Sequence, residues 1–129
     1  RARTLGAAGI VTDGGVRDLA AVTEIGIPTF HSGAHPSVLG RWHVPWGVDE
    51  TIACGGTTVQ PGDIIVGDDD GIVVIPPGIV RELVDEAERQ EAEEAFIARM
   101  VEEGHPVDGL FPMDATWRAR FEAEREAKA

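Results

Sequence analysis

Arg17 and Asp18 close the segment Gly9-Ile10-Val11-Thr12-Asp13-Gly14-Gly15-Val16, a short apolar run that ends in a glycine turn. The run reads as a buried strand and the residues after Asp18 as a helix, so the pair stands at a strand-to-helix switch, where α/β proteins gather ligands. A guanidinium there can grip a carboxylate with two parallel hydrogen bonds, and a carboxylate beside it can hold a hard divalent cation through oxygen. The simpler reading of an Arg-Asp dipeptide is a surface ion pair that stabilises little. The glycine context shifts the balance toward a ligand site.

Other chemically able groups are weaker. Asp68-Asp69-Asp70-Gly71 lacks the alternate ligand spacing and closing Glu of a calcium loop and reads as a turn. His31, His35 and His43 share one loop but match no structural zinc spacing. Cys54 is the only cysteine, so no internal disulfide forms, and a buried, inert thiol is its expected fate. Trp42 and Trp46 read as packing anchors between subunits. No P-loop, dinucleotide fingerprint or nucleophile elbow occurs.

The elements that must position Arg17 and Asp18 follow from periodicity. Ile10 to Thr12 is a β-branched strand. Leu19, Ala20, Val22 and Ile25 have helical spacing, with Gly26 as the stop. Pro28 to His31 is a second short strand, followed by a long irregular loop from Ser32 to Gly47. Strands are then expected over Val48 to Ala53, Thr57 to Val59, Ile64 to Val66 and Ile72 to Ile75. Asp70-Gly71 joins the last two as a hairpin. Both of its arms are continuously apolar, as strands covered on two faces are, which makes this hairpin the expected core. A helix from Ile79 to Glu103 follows, its inner stripe traced through Val80, Leu83, Val84, Ala87, Glu91, Glu94, Ala98 and Val101. Glu91 and Glu94 interrupt that stripe, and Glu93 points away from it. A polar helix over Met113 to Ala129 carries Trp117 and Phe121 on one face. The class is α/β, with 1–104 as the main domain and 105–129 as a helical extension.

The chain has 129 residues, enough for one domain. Its net charge of -12 argues against a nucleic-acid backbone as partner. The lone cysteine, the lack of an apolar stretch of membrane-spanning length and the lack of a signal segment point to a soluble, cytoplasmic protein. The opening, from Arg1 through the small residues Thr4 to Gly9, reads as the end of a helix continued from an upstream part, so the chain is expected to be a portion of a longer protein.

Three ordered blocks carry a family resemblance: Gly9 to Asp18; Gly26-Ile27-Pro28-Thr29-Phe30; and Gly55-Gly56-Thr57-Thr58-Val59-Gln60-Pro61-Gly62-Asp63 through Asp70-Gly71-Ile72-Val73-Val74-Ile75-Pro76. Together they resemble the RraA-like family, over about the first three-quarters of the chain. That family includes the class II pyruvate aldolase acting on 4-hydroxy-4-methyl-2-oxoglutarate, and its members are often named demethylmenaquinone methyltransferases. The resemblance implies a β/β/α swivelling-type domain, homotrimers or homohexamers, and active sites at subunit interfaces. It implies that Arg17 binds the pyruvyl carboxylate and that Asp18 holds Mg²⁺ or Mn²⁺. It further implies that a Glu on the long helix of the adjacent subunit assists the metal through water. Spacing assigns that role to Glu94, or to Glu93 by a one-residue shift, and the helical wheel prefers Glu94.

The implied function is a metal-dependent lyase that releases pyruvate from a 4-hydroxy-2-oxo acid, with oxaloacetate decarboxylation through the same enolate. The alternative is a non-enzymatic regulator of ribonuclease activity acting by protein contact. Two departures from the aldolase pattern bear on the choice. Ala21 stands where the aldolases carry an acidic residue, and the glycine loop expected about twenty residues before the Arg would lie upstream of Arg1. A phosphohistidine carrier using His31 is a remote third reading, without a supporting motif.

Overall fold

The computed structural model describes residues 1–127, which form two compact units divided between Gly78 and Ile79. Lys128 and Ala129, the end of the expected C-terminal helix, lie outside the described residues.

The first unit is built on a strand–helix–strand motif. β1 (Ile10–Val11) pairs in parallel with β2 (Thr29–Phe30) across α1 (Leu19–Ile25), because parallel neighbours need a crossover and a helix supplies it. Gly26 ends α1 in the left-handed conformation at φ 71°, its N–H donating to the carbonyl of Thr23. Two antiparallel ribbons follow: β3 (Ile52–Cys54) with β4 (Thr57–Val59), and β5 (Ile64–Gly67) with β6 (Ile72–Ile75). The strand expected over Val48 to Ala53 is shorter and later than periodicity indicated. At the β5–β6 turn, Oδ1 of Asp68 accepts from the N–H groups of Asp70 and Gly71 at 2.9 and 3.2 Å, so this acidic run is a turn. The Phe30 ring lies so close to Gly67 that a Cβ there would sit 2.6 Å from it, and this contact ties β2 to β5.

The β5–β6 hairpin is not the buried core. Ile64, Ile65 and Val66 are each at least 40% exposed, and Ile27 is the one residue of this unit in the buried hydrophobic set. The strands form three separate two-stranded sheets instead of one layered sheet, and a ribbon of two strands cannot enclose its own faces.

The second unit holds the packed core. α2 (Val80–Glu102) and α3 (Ala115–Glu126) bury Phe96, Met100, Leu110 and Phe121, with Trp117 beside them. Phe96 meets Trp117 and Phe121 edge to face, with centroids 6.2 and 5.5 Å apart. The inner face of α2 is therefore Ala92, Glu93, Phe96, Ile97 and Met100, and the expected stripe is wrong: Leu83, Val84 and Val101 are exposed. Aromatic contact with α3 selects the side that carries the largest rings. Asp114 caps α3, accepting from the N–H groups of Thr116 and Trp117 at 2.9 and 3.0 Å. No helix is long and apolar enough to cross a membrane among the described residues.

Phe96→Ala should cost about 3–5 kcal/mol, and Leu83→Ala no more than about 0.5 kcal/mol, in urea unfolding followed by helical ellipticity. Equal losses would place the core on the other face of α2. A hydrogen bond from Arg89 holds the Glu86 carboxyl below its ordinary value. That contribution is present above the usual carboxylate range and fades as pH falls through the lowered value, and it is screened because the pair is exposed. Glu86→Gln should flatten the acid-side slope of thermal stability at low salt and leave it unchanged at high salt.

Candidate functional site

The β1–β2 ladder does not stop at the strand ends. The N–H of Thr12 donates to Phe30, that of Ser32 to Gly14, that of Val16 to Gly33 and that of His35 to Val16, at 2.9–3.1 Å. Val16 and Ala34 form a further parallel bridge. Between Val11 and Val16 the first segment spends one residue more than the second does between Phe30 and Ala34, and the Asp13-Gly14-Gly15 turn absorbs it. A Cβ on Gly15 would lie 2.6 Å from that of His35, so glycine is what lets the two segments close.

Arg17 and Asp18 follow directly. Nε of Arg17 donates to Oδ2 of Asp18 at 3.1 Å, and the side chains are 53% and 67% exposed. The pair leaves the two terminal guanidinium nitrogens of Arg17 without a protein partner among the described residues, free for bidentate contact with an anion. Asp18 occupies the N-cap position of α1 but does not cap it. Its backbone is left-handed, at φ 58° and ψ 40°, and its carboxylate accepts no helix N–H. An Asp there costs more than a Gly would, and such outliers gather at functional sites.

Two cavities adjoin the pair, and a third opens beside Thr12 and Asp13. One, of about 670 Å³, is lined by Asp13, Arg17, His35, Ser37, Trp42 and His43 among others. A shallower one of about 440 Å³ brings Arg17, Asp18 and His35 to one wall. The third, about 630 Å³, is apolar, with Val11, Phe30, Ile52, Ile65 and Val74 around the half-buried Cys54. His31 lines this third cavity, and its Nδ1 accepts from the N–H of Gly33 at 2.9 Å. Oδ2 of Asp13 accepts from the N–H of Gly55 at 3.1 Å, which ties the glycine turn to the β3–β4 hairpin.

The structure reverses the environments expected for the two glutamates of α2. Glu93, expected to point away from the inner face, is 15% exposed and accepts from both Arg89 and Arg118. Glu94, expected on the inner face, is exposed and accepts from Nε2 of Gln90 at 2.9 Å. The rotation follows from the inner face passing through Phe96 and Met100. Two guanidinium groups already occupy Glu93, whereas Glu94 carries no ion pair among the described residues.

Among the described residues no group of three or more His, Cys, Asp or Glu is placed to hold a metal ion. What Asp18 offers is one exposed oxygen ligand. That donor set fits a hard cation that keeps most of its waters, as Mg²⁺ does, and does not fit a structural zinc. In the sequence His35 is one of three histidines of a loop, with no metal-ligand spacing to single it out. The parallel return of the chain puts it beside Arg17, and no local spacing reports such a contact.

Gly15→Ala should push His35 outward and speed hydrogen exchange at the Val16 and His35 amides by about tenfold or more; unchanged rates would mean the close approach is not required.

The model of the RraA-like family, described as Aldolase/RraA, matches residues 1–74. A protein of Halalkalibacterium halodurans named "Putative 4-hydroxy-4-methyl-2-oxoglutarate aldolase" is 36% identical over 105 residues, which cover 78% of this chain and 47% of that protein. The crystal structure of an uncharacterized protein from Pseudomonas syringae superposes with a TM-score of 0.78 at 29% identity, over 84% of this chain and 55% of that one. A Streptomyces coelicolor structure, described as an unusual member of the RNase ES inhibitor RraA protein family, gives 0.71 at 41% identity, over 77% and 50%. The chain thus spans about half the length of each of these three proteins.

Proposed function

We propose that this chain, which belongs to the RraA-like (Aldolase/RraA) family, carries the substrate clamp of a divalent-metal-dependent lyase. The reaction is cleavage of a 4-hydroxy-2-oxo acid to pyruvate and a carbonyl product, with decarboxylation of oxaloacetate as a second activity. The observation that carries this reading is the left-handed Asp18, whose carboxylate leaves the helix cap unmade and stands beside Arg17 at the cavity wall.

Arg17 grips the pyruvyl carboxylate through its free terminal nitrogens and offsets the negative charge that builds on the pyruvyl portion as the carbon-carbon bond breaks. Asp18 provides the oxygen ligand for Mg²⁺ or Mn²⁺ and keeps the guanidinium oriented through Nε. When bound, the cation supplies Lewis-acid polarisation of the 2-oxo group. Homotrimers or homohexamers would bring Glu94 of an adjacent subunit toward the metal through water. Its freedom from ion pairs supports Glu94 over Glu93 for that role.

A regulator of ribonuclease activity acting by protein contact is the second reading, favoured by the 41% identity to the Streptomyces coelicolor protein and by Ala21. An assay of pyruvate release from several 4-hydroxy-2-oxo acids and from oxaloacetate, with Mg²⁺, with Mn²⁺ and with EDTA, separates the two. Turnover should require the metal. Asp18→Asn, which keeps a residue tolerant of the left-handed conformation, should lower it by about 10²-fold or more with unchanged circular dichroism. Turnover indifferent to EDTA would refute the metal mechanism. Ribonuclease capture by a protein that releases no pyruvate would establish the regulator.

A further inference from the structure

The part of the 670 Å³ cavity wall that packs on the glycine turn has no role in the mechanism above, and it is more tightly tied than an ordinary surface loop. His35 is its anchor. The N–H of His35 donates to the carbonyl of Val16 at 3.0 Å, its Cβ fits against Gly15, and its Nδ1 accepts from the N–H of Ser37 at 3.1 Å. These contacts fix the backbone and the ring of the same residue. With Nδ1 occupied as an acceptor, the neutral ring carries its proton on Nε2, and Nε2 is the nitrogen left for a ligand.

Beside an apolar stretch of Val38, Leu39 and Trp42, the polar chemistry of the cavity is mostly that of donors. Arg17, Ser37, His35 and His43 all line it and all offer hydrogen-bond donors, while its one carboxylate, Asp13, is turned to the N–H of Gly55. A volume of about 670 Å³ falls in the range that holds whole small-molecule ligands, so there is room for much more than the pyruvyl portion. A cavity whose lining holds both the Arg17 guanidinium and a braced imidazole matches a ligand with two acidic groups.

We infer that His35 is a specificity-determining residue, donating from Nε2 to a second carboxylate of a dicarboxylic 2-oxo acid whose first carboxylate is held by Arg17. The inference rests on the lyase reading for the part Arg17 plays. It assigns to His35 the choice between substrates that carry an acidic far end and those that do not.

The test is calorimetric titration, in the presence of Mg²⁺, with 2-oxoglutarate and with 2-oxovalerate, which has the same five carbons without the second carboxylate. The wild-type protein should bind 2-oxoglutarate at least about tenfold more tightly, as a hydrogen bond to a charged group provides. His35→Asn keeps an acceptor in reach of the Ser37 N–H and loses the donor at Nε2, so it should abolish the preference while binding 2-oxovalerate as before. His35→Gln, whose amide nitrogen extends to about the place of Nε2, should restore most of it. Where turnover is measured, His35→Asn should raise KM for dicarboxylic substrates and leave kcat unchanged. Equal binding of the two acids by the wild type, binding of neither, or an intact preference in His35→Asn would overturn the inference. A preference that behaves as expected in a protein releasing no pyruvate would leave His35 assigned and overturn the lyase reading instead.

Discussion

The parallel pairing of the segment before α1 with the segment after it is the constraint on which the candidate site depends. It begins at Ile10 with Thr29, runs through Phe30, and resumes at Val16 with Ala34 after the glycine turn. Each backbone hydrogen bond along it contributes only about 1 kcal/mol net. Together they fix where the two chain segments sit to within a residue, because a slip would turn every side chain to the other face. Arg17, Asp18 and His35 are the residues immediately beyond the end of that ladder, so backbone pairing sets where they sit, and the Asp18 carboxylate and the Ser37 N–H then orient the Arg17 and His35 side chains.

Exposure of the Arg17–Asp18 pair means that its ion pair contributes little to stability. The left-handed backbone of Asp18 goes further, since it costs free energy and forfeits a helix cap worth about 1 kcal/mol. A residue with no stabilising work and some local cost is explained by what its side chain presents. Here that is an oxygen ligand and an oriented guanidinium at the edge of a donor-lined cavity.

The two units bury apolar surface in different ways. The helical unit is held by rings and sulfur at the α2–α3 contact, and Glu93 is drawn into the same contact by Arg89 and Arg118. In the strand-rich unit, hydrogen-bonded ladders and a few close approaches, Phe30 on Gly67 and His35 on Gly15, carry the organisation while most strand side chains remain exposed. Specific backbone geometry therefore matters more for the site than bulk hydrophobic burial does.

Much was legible from residue types alone. The turn glycines, Gly26 at the end of α1, the Asp70-Gly71 hairpin, the long helix and the shared face of Trp117 and Phe121 are local, since the conformations they need are decided within a few residues of chain. The motif order likewise placed the chain among RraA-like proteins and singled out Arg17 and Asp18. What local patterning could not decide was which of two apolar faces of α2 would be inner. Both have helical spacing, and the choice fell to the side bearing Phe96 and Met100 because α3 brings Trp117 and Phe121 against it. The apolar runs of β5 and β6 looked like core for a similar reason: hydrophobicity records a capacity for burial, and only the layering of sheets says whether anything covers it. His35 is the clearest case. Its partners Gly15 and Val16 are some twenty residues away in sequence, and only the parallel return of the chain, a tertiary event, brings its ring to the cavity of Arg17.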